Sequence, residues 1–241
     1  MNLPIDGVLG VIPARGGSKS IKHKNLAMIG GRPLIEYTIR QAFEASRLDE
    51  VIVSTDSEEI AKVALALGAE APFIRPAHLA TDSATSFDVM LHALELMEQR
   101  LGRIFGAVVM LQPTTPFRPN GLIDEAVGRL AMSDLDSIVS VVEVGANHPH
   151  RMYVIDESKL LSPIIQGIND PMIARQLLPK TYIRSGDIYV TRRDCLIKQR
   201  SLLGQRSGGL VIPDDASLNI DSLRDLEFAR YLHAKQLLDL H

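Results

Sequence analysis

The sequence contains a single cysteine and no long hydrophobic run, and each absence excludes a class of protein. Because Cys195 is the sole cysteine, the chain has neither a disulfide framework nor a cysteine-based metal site, as suits a reducing cytosol. Apolar runs such as Val108–Leu111 are far too short to span a bilayer. The first residues, MNLPIDG, lack the features of a signal peptide. These features predict a soluble cytoplasmic protein.

An excess of basic residues is also missing, since the net charge is -3. This balance argues against non-specific nucleic-acid binding as the main task, which needs a broadly basic face. The hydrophobic share of 46% is ordinary for a globular protein, and 241 residues correspond to one large domain or to a core with a modest appendage. Against this background the segment VLGVIPARGGSKSIKHKNL, Val8 to Leu26, is unusual. It is rich in cations, and no acid occurs between Asp6 and Glu36.

Short apolar runs alternate with helical patterns through the first two-thirds of the chain. The runs that predict strands are Val8–Ile12, Val51–Ser54, Ala107–Leu111 and Ser137–Val142. The segments with apolar residues at helical spacing are Leu34–Phe43, Ile60–Leu67 and Phe87–Leu94. This alternation predicts an α/β fold with a mostly parallel twisted sheet and helices on both faces. Ligands of such sheets bind beyond the carboxyl ends of the strands.

The pattern changes after about Gly145 and becomes richer in short strands. The further strands are predicted at Tyr153–Ile155, Tyr182–Thr191 and Leu210–Ile212, and a final helix from about Ser222. A bend is expected at Ser185-Gly186, because glycine inside a strand marks a bulge or a kink. We therefore assign residues 1–144 and 205–241 to the α/β core and residues 145–204 to a β-rich insertion.

The glycine pair Gly16-Gly17 follows the first strand and permits close approach of the backbone to a ligand. The amides of Ala14 to Lys19 can face a phosphate chain, to which Arg15 adds positive charge. Neither a Walker loop nor a dinucleotide fingerprint is present, because the glycine spacing of both is missing. Spacing alone leaves two interpretations open: a phosphate-binding loop, or a glycine turn followed by a solvated basic loop.

This loop is the first of several motifs that occur in a fixed order. They are IPARGGSK (Ile12–Lys19), KNL (Lys24–Leu26), VSTD (Val53–Asp56), RPAHLATDSATS (Arg75–Ser86), LQPTTPFR (Leu111–Arg118), RQLLP (Arg175–Pro179), GDIY (Gly186–Tyr189) and NID (Asn219–Asp221). The series resembles the acylneuraminate cytidylyltransferases, which are the CMP-sialic acid synthetases and their relatives acting on legionaminic and pseudaminic acids. The resemblance spans nearly the whole chain, and the ordered motifs together are more specific than any one alone.

The resemblance implies a Rossmann-like nucleotidyltransferase that transfers CMP from CTP to the anomeric hydroxyl of a nonulosonic acid and releases pyrophosphate. It implies Mg²⁺ or Mn²⁺ as cofactor, and a homodimer in which the insertion forms much of the interface and reaches into the partner's site. No nucleic-acid or membrane partner is expected. Positioning and electrostatics supply most of the catalysis in such a reaction. The basic segment would then hold the triphosphate.

The resemblance also assigns residues to the nucleotide. They are Ala14, Arg15, Gly16, Ser18, Lys19, Lys24, Asn25, Arg75 and Ser86, with Arg15 also catalytic. Arg75 would read the O2/N3 edge of cytosine. Thr85 and Asp88 form a capping-box pattern for the helix that presents Ser86. A second capping pattern, Asp56 with Glu59, predicts Asp56 as the N-cap of the helix that directly follows it. This prediction gives Asp56 no role in chemistry.

The residues that the resemblance assigns to the sugar are Gln112, Arg151, Arg175, Ser185 and Tyr189. For Gln112 the alternative is a structural amide that satisfies loop backbone. Without the resemblance, Arg151 and Arg175 would be solvated surface charges. Ser185 stands where some sialic-acid enzymes carry asparagine, which hints at a substrate other than N-acetylneuraminic acid.

The metal ligands implied by the resemblance are Asp221 and Asn219, with Asp221 also catalytic. The usual family motif is Asp-Ile-Asp, so one carboxylate is replaced here by an amide. Alternation along an extended segment keeps both side chains on one face. Asp221 would bind the ion directly, while Asn219 offers a carbonyl or orients a water. The alternative for Asp221 is that it merely precedes a capping box formed by Ser222 and Asp225.

Two other functions compete with this interpretation. One is a Kdo cytidylyltransferase, against which the Gly-Gly-Ser-Lys and Lys-Asn patterns argue. The other is a nucleotide-binding regulatory module that has lost catalysis through Asn219. In such a module we expect the phosphate loop to have decayed as well, and its residues are intact.

Overall fold

A computed structural model of the protein describes residues 5–165, 172–213 and 217–237. The strands are β1 (Val8–Pro13), β2 (Met28–Ile29), β3 (Arg32–Pro33), β4 (Glu50–Ser54), β5 (Ala107–Met110), β6 (Ser137–Glu143), β7 (Tyr153–Ile155), β8 (Leu161–Pro163), β9 (Tyr182–Arg192) and β10 (Ser207–Val211). The α-helices are α1 (Leu34–Glu44), α2 (Glu58–Ala66), α3 (Ser86–Leu101), α4 (Leu122–Ala131) and α5 (Leu223–Ala234).

The main sheet has six strands in the order β10-β6-β9-β5-β1-β4. β1 pairs in parallel with β4 and with β5, and β10 pairs in parallel with β6. β9 is antiparallel to both of its neighbours, β5 and β6. The mostly parallel sheet predicted from the apolar runs is therefore confirmed, with one antiparallel strand inside it.

The position of β9 differs from the division drawn from the sequence. Residues 182–192 were assigned to the insertion, yet β9 lies in the middle of the main sheet. Its residues Ile188 and Val190 are fully buried in the core, and this burial holds the strand there. The expected bend is present at Gly186, which has φ +90°, and the register with β6 shifts between Val139 and Val141.

Helices cover both faces of the sheet, as the alternating pattern predicts. On one face the buried residues of α1, α2 and α4, among them Ile35, Ile60 and Ala126, join one core cluster. On the other face Met90 of α3 and Leu196 of a short π-helical turn join a second cluster. Fully burying one such apolar side chain contributes about 2 kcal/mol, so both layers hold the sheet firmly.

The helix caps follow the predicted patterns in two of three cases. Thr85 caps α3, and Ser222 with Asp225 forms a complete capping box at α5. The prediction for α2 is wrong, because its N-cap is Ser57, which accepts a bond from the amide of Ile60. The Asp56 carboxylate instead accepts the amide of Gly16.

The segment before β9 forms an antiparallel hairpin of β7 and β8. Its apolar side chains are exposed: Val154 by 58%, Ile155 by 62% and Leu161 by 63%. An exposed apolar cluster of this kind is typical of a surface that another molecule covers. In the described part of the chain, no helix is long and apolar enough to cross a membrane.

Candidate nucleotide-binding site

A cavity of about 330 Å³ opens beyond the carboxyl ends of β1 and β5, where an α/β sheet is expected to bind its ligand. Predicted site residues from distant parts of the sequence line it. They are Arg15, Lys24, Asn25, Arg75, Ser86 and Gln112. The fold therefore brings most of the predicted nucleotide residues to one place, together with Gln112.

The loop after β1 is fixed in shape by bonds to its neighbours. The Ala14 amide donates to the Ser54 carbonyl at 2.9 Å, and the Gly16 amide donates to Asp56 Oδ1 at 2.8 Å. On the other side Asn25 Nδ2 donates to the Arg15 carbonyl at 2.9 Å. Two of the amides expected to face a phosphate are thus bonded to the protein. They set the shape of the loop, while Arg15 projects into the cavity.

Asp56 supports the glycine loop, a contact that the capping pattern did not predict. Its carboxylate accepts the Gly16 amide, and a Cβ placed on Gly16 would lie 2.9 Å from Ser57 Cβ. The end of β4 and the glycine loop are therefore in direct contact, and only a residue without a side chain fits between them. The signal in the sequence is an acid at the carboxyl end of a buried strand.

Arg15 and Lys19 both pair with one carboxylate. Arg15 Nη1 lies 2.9 Å from Asp82 Oδ1, and Lys19 Nζ lies 2.6 Å from Asp82 Oδ2. The bonds from Lys19 and from Arg15 hold the pKa of Asp82 below its ordinary value. Asp82 also lines the cavity. It lies in the motif Arg75–Ser86, but no role for it is predicted from the sequence.

Lys24 and Asp221 form a second charged group at the cavity. Lys24 Nζ donates to Asp221 Oδ1 at 3.1 Å and to the Ile220 carbonyl at 3.0 Å, and Asn219 Nδ2 donates to Asp221 Oδ2 at 2.7 Å. The cap of α5 is completed by Asp225, which accepts the side chain of Ser222. The Asp221 carboxylate is therefore free of any capping role.

The donor set around Asp221 suits a metal only in part. Among the described residues, no three His, Cys, Asp or Glu side chains cluster in a way that holds an ion. Mg²⁺ commonly binds through one or two carboxylates and completes its shell with waters and substrate phosphates. One exposed carboxylate beside a cationic cavity fits that mode, in which the nucleotide supplies most of the ligands.

Arg75 is buried in the wall of the cavity. Its Nε donates to Ser54 Oγ at 3.1 Å, its Nη1 to the Leu79 carbonyl at 3.3 Å, and its Nη2 to the Ser54 carbonyl. Burial lowers the pKa of the guanidinium, Asp56 opposes this shift, and Arg15 adds to it. A guanidinium has five N–H donors, of which these bonds use three. Reading of the base by Arg75 stays a prediction.

The backbone of Gln112 is held by Arg118, a buried arginine of the same motif to which the sequence assigns no role. Arg118 Nη2 donates to the Gln112 carbonyl at 3.2 Å, and its Nε donates to the Asp187 carbonyl at 2.6 Å. Burial lowers the pKa of Arg118 to about 10, while Asp187 opposes the shift. On the far side a Cβ on Gly186 would lie 2.9 Å from Gln112 Oε1. The bend in β9 therefore leaves room for this amide.

Other predicted sugar residues lie away from the cavity lining. Arg151 is exposed on a 3-10 turn, Pro149–Arg151, and Tyr189 is half-buried beside the α3 cluster. Ser185 is buried, and its hydroxyl donates to Ser140 Oγ at 2.8 Å. The backbone of Arg175 begins another 3-10 turn, and its side chain lies outside the described residues. Ser18 is half-exposed on the glycine loop.

Comparison with known proteins gives a consistent result. A family model described as cytidylyltransferase matches residues 9–235. A pseudaminic acid cytidylyltransferase of Campylobacter jejuni is 31% identical over 233 residues, covering 93% of this chain and 95% of the relative. A CMP-N,N'-diacetyllegionaminic acid synthase of Legionella pneumophila is 33% identical over 218 residues, covering 89% and 91%.

A solved structure shares the fold. It is a CMP:2-keto-3-deoxy-manno-octonic acid synthetase complexed with CTP, with a TM-score of 0.72 at 20% identity. The match covers 96% of this chain and 100% of that one.

Proposed function

This chain belongs to the cytidylyltransferase family, and on that premise we propose that it transfers CMP from CTP to the anomeric hydroxyl of a nonulosonic acid, releasing pyrophosphate. The observation that carries the proposal is the cavity in which the cations Arg15 and Lys24 face the polar residues Asn25 and Gln112. Two relatives, 31% and 33% identical to this chain, are named for pseudaminic and legionaminic acids, which are sugars of this class.

The triphosphate lies against the loop after β1. The sugar hydroxyl attacks the α-phosphorus, and negative charge grows on the bridging oxygen as pyrophosphate departs. Arg15 meets that charge from a loop already fixed by Asp56 and Asn25, so little reorganisation is needed during the reaction. Lys24 is held by Asp221 and by the Ile220 carbonyl, and contacts the phosphates from the other side.

The nucleoside occupies the side of the cavity formed by Arg75 and the start of α3. Ser86 is the first residue of α3, and its hydroxyl faces the cavity from a helix end capped by Thr85. Arg75 forms the wall against which the cytosine lies. Ala14, Gly16, Ser18 and Lys19 complete the nucleotide side as the loop that shapes the phosphate site.

Asp221 would hold Mg²⁺ or Mn²⁺, and Asn219 would orient that carboxylate or a water. When bound, such an ion neutralises phosphate charge and orients the phosphates. Lys24 and Asn219 keep the Asp221 carboxylate in place through one hydrogen bond each. Because Asn219 carries no charge, we expect weak binding of the metal in the absence of nucleotide.

The sugar side is completed by a second copy of the chain, so that the active enzyme is a homodimer. Gln112 contributes from one chain, and Arg151 and Arg175 contribute from the insertion of the partner, where they meet the sugar carboxylate or phosphates. Two observations support this arrangement. The β7–β8 hairpin exposes a cluster of apolar residues, and Arg151 is exposed near it rather than in its own chain's cavity.

The proposal is tested by measuring pyrophosphate release from CTP and Mg²⁺ with N-acetylneuraminic, di-N-acetyllegionaminic and pseudaminic acids and with Kdo. We expect turnover with one nonulosonic acid and none with Kdo. Silence across the panel with CTP binding intact would favour the regulatory module. Silence without CTP binding would overturn the proposed function.

A further inference from the structure

One carboxylate bridges the two cations of the glycine loop. The two oxygens of Asp82 are divided between Arg15 and Lys19, at 2.9 and 2.6 Å. Arg15 Nη1 also donates to the carbonyl of the preceding residue, Thr81, at 3.3 Å. A phosphate group presents its oxygens to neighbouring cations in the same way. Asp82 therefore engages the cations that the proposed function gives to the phosphates.

The segment that carries Asp82 lies at the surface, outside the core. The side chain of Asp82 is 50% exposed and that of Lys19 is 84% exposed. The neighbouring residues hold their own turn, since the Ala84 amide donates to Thr81 Oγ1 at 3.2 Å. Ion pairs at this exposure are individually weak, so an incoming polyanion can replace them.

We propose that Asp82 is an internal anion that competes with the nucleotide phosphates for Arg15 and Lys19, and that it recaptures both cations when pyrophosphate leaves. This inference rests on the proposed function, because it needs the phosphates to bind at the glycine loop. The binding of CTP then becomes an exchange of one anion for another rather than the filling of a bare cationic site. As pyrophosphate leaves, Asp82 competes with it for the same two cations.

The exchange has a direct consequence for affinity. While Asp82 is ionised, every phosphate contact with Arg15 or Lys19 requires the loss of an existing ion pair. The carboxylate thereby weakens the binding of triphosphate and pyrophosphate alike and speeds release of the product. Removing its charge should tighten the binding of both ligands by about three- to tenfold, as expected for two exposed pairs.

The test compares Asp82→Asn with the wild-type chain, using inorganic pyrophosphate and CTP as separate probes in calorimetric titrations at low salt. Asp194→Asn is the matched control, because Asp194 is an exposed acid whose ion pair with Lys198 is also 2.9 Å long. It removes the same charge from the molecule without touching the cavity. Asp82→Glu keeps the charge on a longer side chain and should bind close to the wild-type level.

We expect tighter pyrophosphate binding in Asp82→Asn alone, with a gain that shrinks at high salt because exposed pairs are screened. Stronger inhibition by pyrophosphate should accompany it. Unchanged binding in Asp82→Asn would overturn the inference, as would an equal gain in Asp194→Asn. Weaker binding in Asp82→Asn would also overturn the inference, because it would mean that Asp82 stabilises the complex with pyrophosphate. If none of the variants binds pyrophosphate or CTP, the proposed function fails as well.

Discussion

The glycine loop and the β7–β8 hairpin present opposite kinds of surface. The loop after β1 is polar, and bonds from Ser54, Asp56 and Asn25 within the same chain hold it in shape. The hairpin exposes Val154, Ile155 and Leu161 by more than half. The contrast fits the proposed arrangement, in which a single chain forms the nucleotide side and a second copy completes the sugar side. Substitutions in the two regions should therefore fail in different ways.

Asp221→Ala should give the largest effect, the loss of Mg²⁺-dependent turnover. The carboxylate is the proposed direct ligand, and the remaining Asn219 carries no charge. Pyrophosphate release measured against Mg²⁺ concentration tests this expectation. The melting temperature should not change, because the Asp221 side chain takes no part in the cap of α5.

Asp225→Ala is the control for that variant, since Asp225 does complete the cap. We expect it to lose about 1 kcal/mol of stability. Burial by itself would raise the pKa of Asp225, but bonds from Ser222 and from the Asp221 amide lower it overall. A lowered folded pKa stabilises the fold above the unfolded pKa, and this contribution is lost as pH falls through the folded value. The difference in melting temperature between Asp225→Ala and the wild type should therefore shrink in acid.

A fall in the melting temperature of Asp221→Ala, with activity retained, would contradict the metal role and would make Asp221 a capping residue.

Arg15→Ala should reduce turnover by about two orders of magnitude, as for the loss of a charge contact in the transition state. The control is Arg129→Ala, which removes an exposed arginine of α4 that pairs with Glu125 at 2.7 Å. Steady-state pyrophosphate release measures both variants. Wild-type rates in Arg15→Ala would show that Arg15 takes no part in the mechanism. They would also contradict the difference proposed between the glycine loop and the β7–β8 hairpin.

Ile155→Asp should break the proposed dimer and lower sugar transfer roughly tenfold, because a charge would be buried in an apolar interface. CTP binding should stay at the wild-type level, since the nucleotide side belongs to one chain. Ile104→Asp is the matched control, as Ile104 is 67% exposed outside the hairpin and Ile155 is 62% exposed. Sedimentation and CTP titration give the two readouts. A monomeric wild-type chain with full activity would contradict the dimer.

Asp56→Ala should give the smallest effect, a several-fold rise in KM for CTP with a smaller change in kcat. The Gly16 amide would lose its acceptor, and the loop its fixed shape. Asp56→Asn keeps an acceptor oxygen and should remain close to wild type. Equal rises in KM for both variants would point to the charge of Asp56, which faces Arg75, rather than to the bond.

The strands of the main sheet and the helices α1, α2, α3 and α5 followed from local apolar patterns, whereas the residues that line the cavity were assigned through the family resemblance. The patterns did not predict β2, β3, β8 or α4. Apolar runs mark the strands, and the motifs that line the cavity sit just beyond the strand ends. Contacts between distant segments did not follow. The pairing of Asp82 with the glycine loop and the burial of Arg118 under Gln112 both depend on how remote loops meet. The choice of Ser57 over Asp56 as a cap has the same origin, because both residue types cap helices and Gly16 binds Asp56.

In the proposed reaction, the sugar hydroxyl attacks the α-phosphorus of CTP bound at the glycine loop. The most direct test is phosphorus-31 NMR of the protein mixed with CTP, Mg²⁺ and the nonulosonic acid that supports pyrophosphate release. The prediction is that the three CTP signals give way to pyrophosphate and one phosphodiester signal in equal amounts, and that Arg15→Ala suppresses both. The appearance of CDP with a sugar phosphate would contradict this reaction, because it would place the attack of the sugar hydroxyl at the γ-phosphorus.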